Sequence, residues 1–169
     1  MLELGGTGTA GAEKGAIPVF RNGSVVATLR ASDWRESATA VVGDREWVFS
    51  KRKGELTGRW ALELEDTARL SAEQTSLWKG TWTADLEGTP VEVESSSYWK
   101  GTHRFLSGGR RVAESGSTGG WSPRPTLTAA DELPLDHQVF LLWLLLVISR
   151  RNTAAVTAAT GAAVIGGSS

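Results

Sequence analysis

The chain has no cysteine, a single methionine and two histidines in 169 residues. Without cysteine, disulfides, thiolate zinc sites and cysteine nucleophiles are excluded, and a reducing, cytoplasmic setting is the expectation. Charge of one sign is lacking too. Eighteen Lys and Arg stand against nineteen Asp and Glu, a net charge of −1, so no overall field draws the chain to nucleic acid. The small imbalance is uneven, with the negative excess in residues 1–96 and the positive one in 97–169. Residues 1–16 (MLELGGTGTAGAEKGA) have neither the basic start nor the apolar centre of a secretory signal, and read as a flexible N-terminal tail.

Catalytic and cofactor signatures are equally sparse. Gly6-Thr7-Gly8-Thr9-Ala10-Gly11 spells GxGxxG, but that fingerprint needs a strand before it and a helix after it. Too few residues precede it, and Gly11-Ala12-Glu13-Lys14-Gly15 opens a helix poorly. No Walker lysine, HExxH spacing or GxSxG elbow is present. No cofactor or metal is therefore expected. His103 and His137 are the only residues around which an enzymatic site can be imagined.

What the chain does have is tryptophan, which supplies eight of its thirteen aromatic residues. It also has a repeat. Ser76-Leu77-Trp78-Lys79-Gly80-Thr81-Trp82 returns 21 residues later as Ser97-Tyr98-Trp99-Lys100-Gly101-Thr102-His103, with a looser copy at Ser32, Trp34, Arg35, Ser37 and Gly43. Each copy reads as an aromatic-rich strand, a turn and a second strand, with the large rings filling an interior. Alternating runs such as Val91-Glu92-Val93-Glu94 have the period of half-buried strands. Turn signals fall at Asn22-Gly23, Gly43-Asp44, Lys53-Gly54, Glu87-Gly88 and Gly108-Gly109. Ten to twelve antiparallel strands are expected between Ile17 and Thr128.

One helix is expected after them, over about 132–151. Asp131 is its candidate cap, Pro134 suits its first turn, and Arg150 and Arg151 close it. Its centre is Val139-Phe140-Leu141-Leu142-Trp143-Leu144-Leu145-Leu146-Val147-Ile148, apolar on every side. Such a helix must be surrounded by protein or by lipid. A bilayer span needs about twenty apolar residues, and ten more often make a buried core helix. Lengthening this run takes in Asp136 or Arg150, at roughly 2.5–3.5 kcal/mol for each charge near the bilayer centre. Core is the preferred reading, and a membrane anchor at 139–148 is the alternative. One open sheet leaves such a helix half wet, whereas a closed barrel of ten or more strands encloses it and removes the sheet edges. The fold class expected is mainly β, a closed antiparallel barrel of about 10–12 strands around an apolar C-terminal helix. Residues 152–169 read as an uncharged Ala/Gly tail, frayed or weakly helical.

In order of elements, strand number and terminal apolar helix, residues 17–151 resemble the tubby C-terminal-like superfamily, which includes the phospholipid scramblases and the plant LURP-one-related proteins. The chain looks like a compact bacterial member. The resemblance implies a non-enzymatic binding or scaffold module, working at a membrane lipid surface or on a protein partner. Tubby proteins bind phosphoinositides through a basic patch, and scramblases are associated with lipid movement and calcium. Departures count, however: no tubby-like phosphoinositide motif, palmitoylation cysteine or acidic calcium loop is present. Lipid binding therefore passes to no residue by resemblance. From the residues themselves, Lys51, Arg52, Lys53, Arg110, Arg111, Arg150 and Arg151 are a candidate patch for anionic headgroups. Their bland reading is solvated hairpin tips.

Overall fold

The computed structural model describes residues 1–166, with side chains to residue 161. Twelve strands run β1 (Leu2–Leu4), β2 (Ile17–Arg21), β3 (Ser24–Ala31), β4 (Ala38–Val42), β5 (Arg45–Arg52) and β6 (Glu55–Trp60). They continue as β7 (Leu70–Ser76), β8 (Thr81–Leu86), β9 (Thr89–Ser97), β10 (Thr102–Ser107), β11 (Arg110–Ser117) and β12 (Pro125–Ala129). Each pairs antiparallel with its sequence neighbours, and β1 lies between β2 and β12, so the sheet closes. A single helix, α1 (Leu135–Gly166), follows.

All five expected turn dipeptides join neighbouring strands. Asn22-Gly23, Lys53-Gly54, Glu87-Gly88 and Gly108-Gly109 have positive φ at both residues, the backbone condition of a type I′ hairpin. That geometry matches the twist of the flanking strands, so the turns set the meander locally.

The first half of α1 is the core. From Val139 to Leu145 no side chain is more than 4 % exposed, and Val147 and Ile148 are also buried. The barrel wall turns Leu, Val and Phe inward on alternate positions and leaves room with Ala27, Ala38, Ala40, Ala72 and Ala84. A helix with its side chains is about 10–12 Å across, and alanines in the wall supply that width. Beside Ala38, its partner across the β4–β5 ladder, Phe49 stacks on Trp143 with centroids 5.1 Å apart and meets Phe140 edge-on at 5.3 Å. Gly58 sits behind Phe49, and a Cβ there would lie 3.1 Å from the ring.

Two expectations need correction. Residues 1–16 are not all tail: Leu2–Leu4 is the strand that closes the barrel, with Leu2 opposite Leu127 and Leu4 opposite Val19. Leu2 and Leu4 are buried, which repays ordering so short a strand. The helix begins at Leu135, not 132, because Pro134 stands before it and accepts from the Gln138 amide. It also runs past Arg151 to Gly166, through residues for which fraying or weak helix is expected, while 167–169 of that tail lie outside the described residues. The enclosed Val139–Ile148 segment is the plug of the barrel, as the preferred reading has it.

Candidate functional site

Because every hairpin is antiparallel and consecutive, the connections alternate between the two ends of the barrel. Helix α1 follows β12, goes in at one end and comes out at the other. The entrance is marked by Asp136 facing Arg45 at 3.9 Å, and by Arg21 donating to Gln138 at 3.3 Å. At the exit, Arg150 donates to the Ser32 carbonyl at 2.7 Å. Arg151 there grips the Glu36 carboxylate through two hydrogen bonds.

The two ends differ chemically. At the exit the connections carry Lys14, Arg35, Lys53, Lys79, Lys100 and Arg124 against Glu13, Asp33 and Glu36. At the entrance they carry Asp44, Glu63, Glu87, Asp131 and Glu132 against Arg69, with Arg21, Arg45, Arg110 and Arg111 on the strand ends beside them. The long β6–β7 connection also bears Glu65 and Asp66 but folds back along the wall, where the Glu65 carbonyl accepts from Arg52. The connections of one end are thus mainly cationic and those of the other mainly anionic, though the whole chain is nearly neutral.

Tryptophan follows the same division. Trp47, Trp82 and Trp143 are buried, but Trp34, Trp78, Trp99 and Trp121 are 94–103 % exposed. All four exposed rings stand on exit-end connections: β3–β4, β7–β8, β9–β10 and β11–β12. Leu77 and Tyr98 are exposed beside two of them. The entrance end exposes Leu62 and Leu64, but no tryptophan. The expectation that large rings fill the barrel therefore holds for Trp47, Trp82 and Trp143, in part for half-buried Trp60, and fails for the other four.

The sequence repeat turns out to encode these tips. In two copies a serine hydroxyl accepts from the backbone amide three residues on, Ser76 from Lys79 at 3.2 Å and Ser97 from Lys100 at 3.3 Å. Gly80 and Gly101 then turn the chain at the same φ of +62°. In the looser copy Ser32 accepts from Trp34 and Arg35. Each tip thus reads Ser-x-Trp-Lys/Arg, with the serine fixing the turn and the ring and cation pointing outward together. The repeat places Trp on the turn, not in a strand. A readable signal was there: Leu77-Trp78 and Tyr98-Trp99 are adjacent apolar pairs, which a strand of period two cannot bury on one face.

Candidate cations identified from sequence do not form one patch. Arg110 and Arg111 lie at the entrance end, paired to Glu132 at 3.0 Å and Glu114 at 3.1 Å. Lys51, Arg52, Lys53, Arg150 and Arg151 share the exit end, but most are occupied. Lys51 faces Glu36 at 3.7 Å, and Arg52 donates to the Glu65 carbonyl. Arg151 also lies over Trp82, 4.8 Å from its ring centre. Hydrogen bonding from Arg151 holds the Glu36 carboxyl below its ordinary range, against the opposing effect of burial. Lys53, with Arg35, Lys79 and Lys100, makes no ion pair among the described residues. Sequence reasoning missed these last three.

The histidines part company. His103 is buried on β10 at the repeat position that Trp82 holds on β8, and its Nδ1 has no hydrogen-bond partner. Burial pushes its pKa down. His137 sits at the entrance in a cleft of about 460 Å³, with Nε2 3.7 Å from Glu87. Ser107, a hydroxyl of that cleft, donates to the Pro90 carbonyl. At 3.7 Å His137 and Glu87 stand beyond hydrogen-bond distance, and the Ser107 hydroxyl is turned to the backbone. Among the described residues no three His, Asp or Glu side chains gather closely enough to hold a metal ion.

No protein-family model, curated protein or solved structure matches the chain.

Proposed function

We propose that the protein is a non-enzymatic module that docks end-on to an anionic lipid surface, with the helix-exit end of the barrel facing the headgroups. The observation that carries this is the confinement of all four exposed tryptophans to that end. Tryptophan has an apolar body and one polar N–H, and it favours the interface between headgroups and acyl chains. Arg35, Lys79 and Lys100, beside three of the four rings, suit lipid phosphate, and a cationic patch near an anionic leaflet gains about 1 kcal/mol per cation. The acidic entrance end faces away from the leaflet in this orientation, so the charge asymmetry also sets polarity.

The order of elements, twelve antiparallel strands and then a threaded apolar helix, supports placing the chain near the tubby C-terminal-like proteins. Lipid association is a theme of that group. The surface proposed here is nevertheless this chain's own, built from its tips and not from a phosphoinositide motif.

Vesicle flotation tests the reading. The chain should float with vesicles containing phosphatidylglycerol and bind much less to pure phosphatidylcholine, with added salt releasing it. A chain that floats with neither is not a lipid-docking module.

A further inference from the structure

Beyond Arg151, α1 continues with no wall around it. Its backbone is helical to Gly166, and from Asn152 to Gly161 every residue is exposed. An isolated helix of about fifteen residues is marginal in water, so this extension lacks the packing that holds the first half. It carries no charge. Its threonine hydroxyls are turned inward on the helix itself: Thr153 donates to Ser149, Thr157 to Thr153 and Thr160 to Val156, each at 3.0 Å. Threonine hydroxyls and helical amides are thus satisfied within the segment, which lowers the cost of placing it in hydrocarbon. The nearest charges, Arg150 and Arg151, are tied to Ser32 and Glu36 on the barrel rim, so burying the extension drags no cation with it.

We infer that the extension Asn152–Gly166 inserts into the acyl-chain region when the tryptophan tips dock, so that the barrel stands on the membrane with this helix as its peg. The inference rests on the docking reading of the exit end. The tips ring the point where the helix emerges, so the interfacial residues and the peg are engaged by the same approach. At 1.5 Å per residue the segment is about 22 Å long, deeper than one leaflet's share of a roughly 30 Å hydrocarbon core.

The absence of cysteine makes the test direct. Full-length Val156→Cys and, as a control on the entrance end, Asp44→Cys are each labelled with an environment-sensitive fluorophore and mixed with phosphatidylglycerol-containing vesicles. Insertion requires the label at 156 to shift to the blue and be quenched by acyl-chain nitroxides, while the label at 44 stays wet. If the protein floats with vesicles but the label at 156 remains open to aqueous iodide, the peg is overturned and docking stands. If the protein does not float, docking fails and the peg with it. A blue shift without vesicles that grows with protein concentration overturns the peg in favour of a second copy of the chain.

Discussion

Arg151 holds both carboxylate oxygens of Glu36, with its Nε 2.7 Å from Oε1. The pair joins the helix exit to the β3–β4 tip that bears Trp34, so it links the core plug to the proposed docking surface. Each partner keeps only 27–28 % of its side-chain exposure, which protects the pair from screening. Charge-assisted, bidentate hydrogen bonds of this kind are among the stronger ones. Glu36→Gln should cost about 1–2 kcal/mol in urea denaturation at neutral pH. The Glu36 pKa is depressed in the folded state, so its stabilisation is present above the unfolded value and fades as pH falls through the folded one. As pH falls below the ordinary carboxylate value of about 4.3 the two proteins should therefore draw together, and they should meet below the depressed folded value. Equal stability of both at pH 7 would remove the lock.

The enclosed run makes a second prediction. Leu144 is fully buried in the bore as part of the hydrophobic core cluster. Leu144→Ala should cost about 2–5 kcal/mol, while Leu144→Lys should abolish the cooperative unfolding transition. Circular dichroism with thermal melting checks both. If the run were instead a lipid anchor, the lysine variant would fold and leave the membrane.

Much of this barrel is readable from local chemistry. Dipeptides such as Asn22-Gly23 and Lys53-Gly54 demand positive φ, so their turns could be placed without any long-range information. Val139–Ile148 requires enclosure for an equally local reason, its apolar circumference. What escaped was set by distance or by parity. Leu2–Leu4 is too short to announce itself, and its partners Val19 and Leu127 are remote in sequence. Arg110 and Lys53 seem equivalent as basic residues beside turns, and only counting hairpins shows them at opposite ends. Trp34 and Trp78 escaped because hydrophobicity argues for burial, whereas their serine-fixed turns hold them in water.

A third prediction concerns those tips. Trp34, Trp78, Trp99 and Trp121 contact little of the fold, so each Trp→Ala variant should keep its stability within about 0.5 kcal/mol. Each should nonetheless weaken binding to anionic vesicles, by about fivefold if roughly 1 kcal/mol of partial burial is lost. Well-separated tips should act independently, so double variants should multiply their losses. Replacing Lys53, Lys79 and Lys100 with Gln should instead flatten the salt dependence and leave the aromatic contribution in place. Titration by flotation at two salt concentrations separates the two effects. Vesicle affinity unchanged in the quadruple tryptophan variant would rule out the rim as the contact.

His103 makes the last prediction. It fills on β10 the inward place that Trp82 fills on β8, yet its Nδ1 is buried without a partner. An unsatisfied polar atom in the core costs about 1–3 kcal/mol, so a ring that packs without needing a partner should be tolerated or preferred. His103→Phe should match or exceed the parent in stability at pH 7. The titration sign is separately testable. Burial lowers the His103 pKa, so below the ordinary histidine value of about 6.5 the unfolded chain takes up a proton that the folded chain resists. The parent should lose stability as pH falls from about 6.5 toward the depressed folded value. That loss lies above the acid limb of Glu36. In His103→Phe the upper limb should vanish while the Glu36 limb remains, as read by urea midpoints from pH 8 to pH 3. An upper limb that survives the substitution would remove His103 as its source.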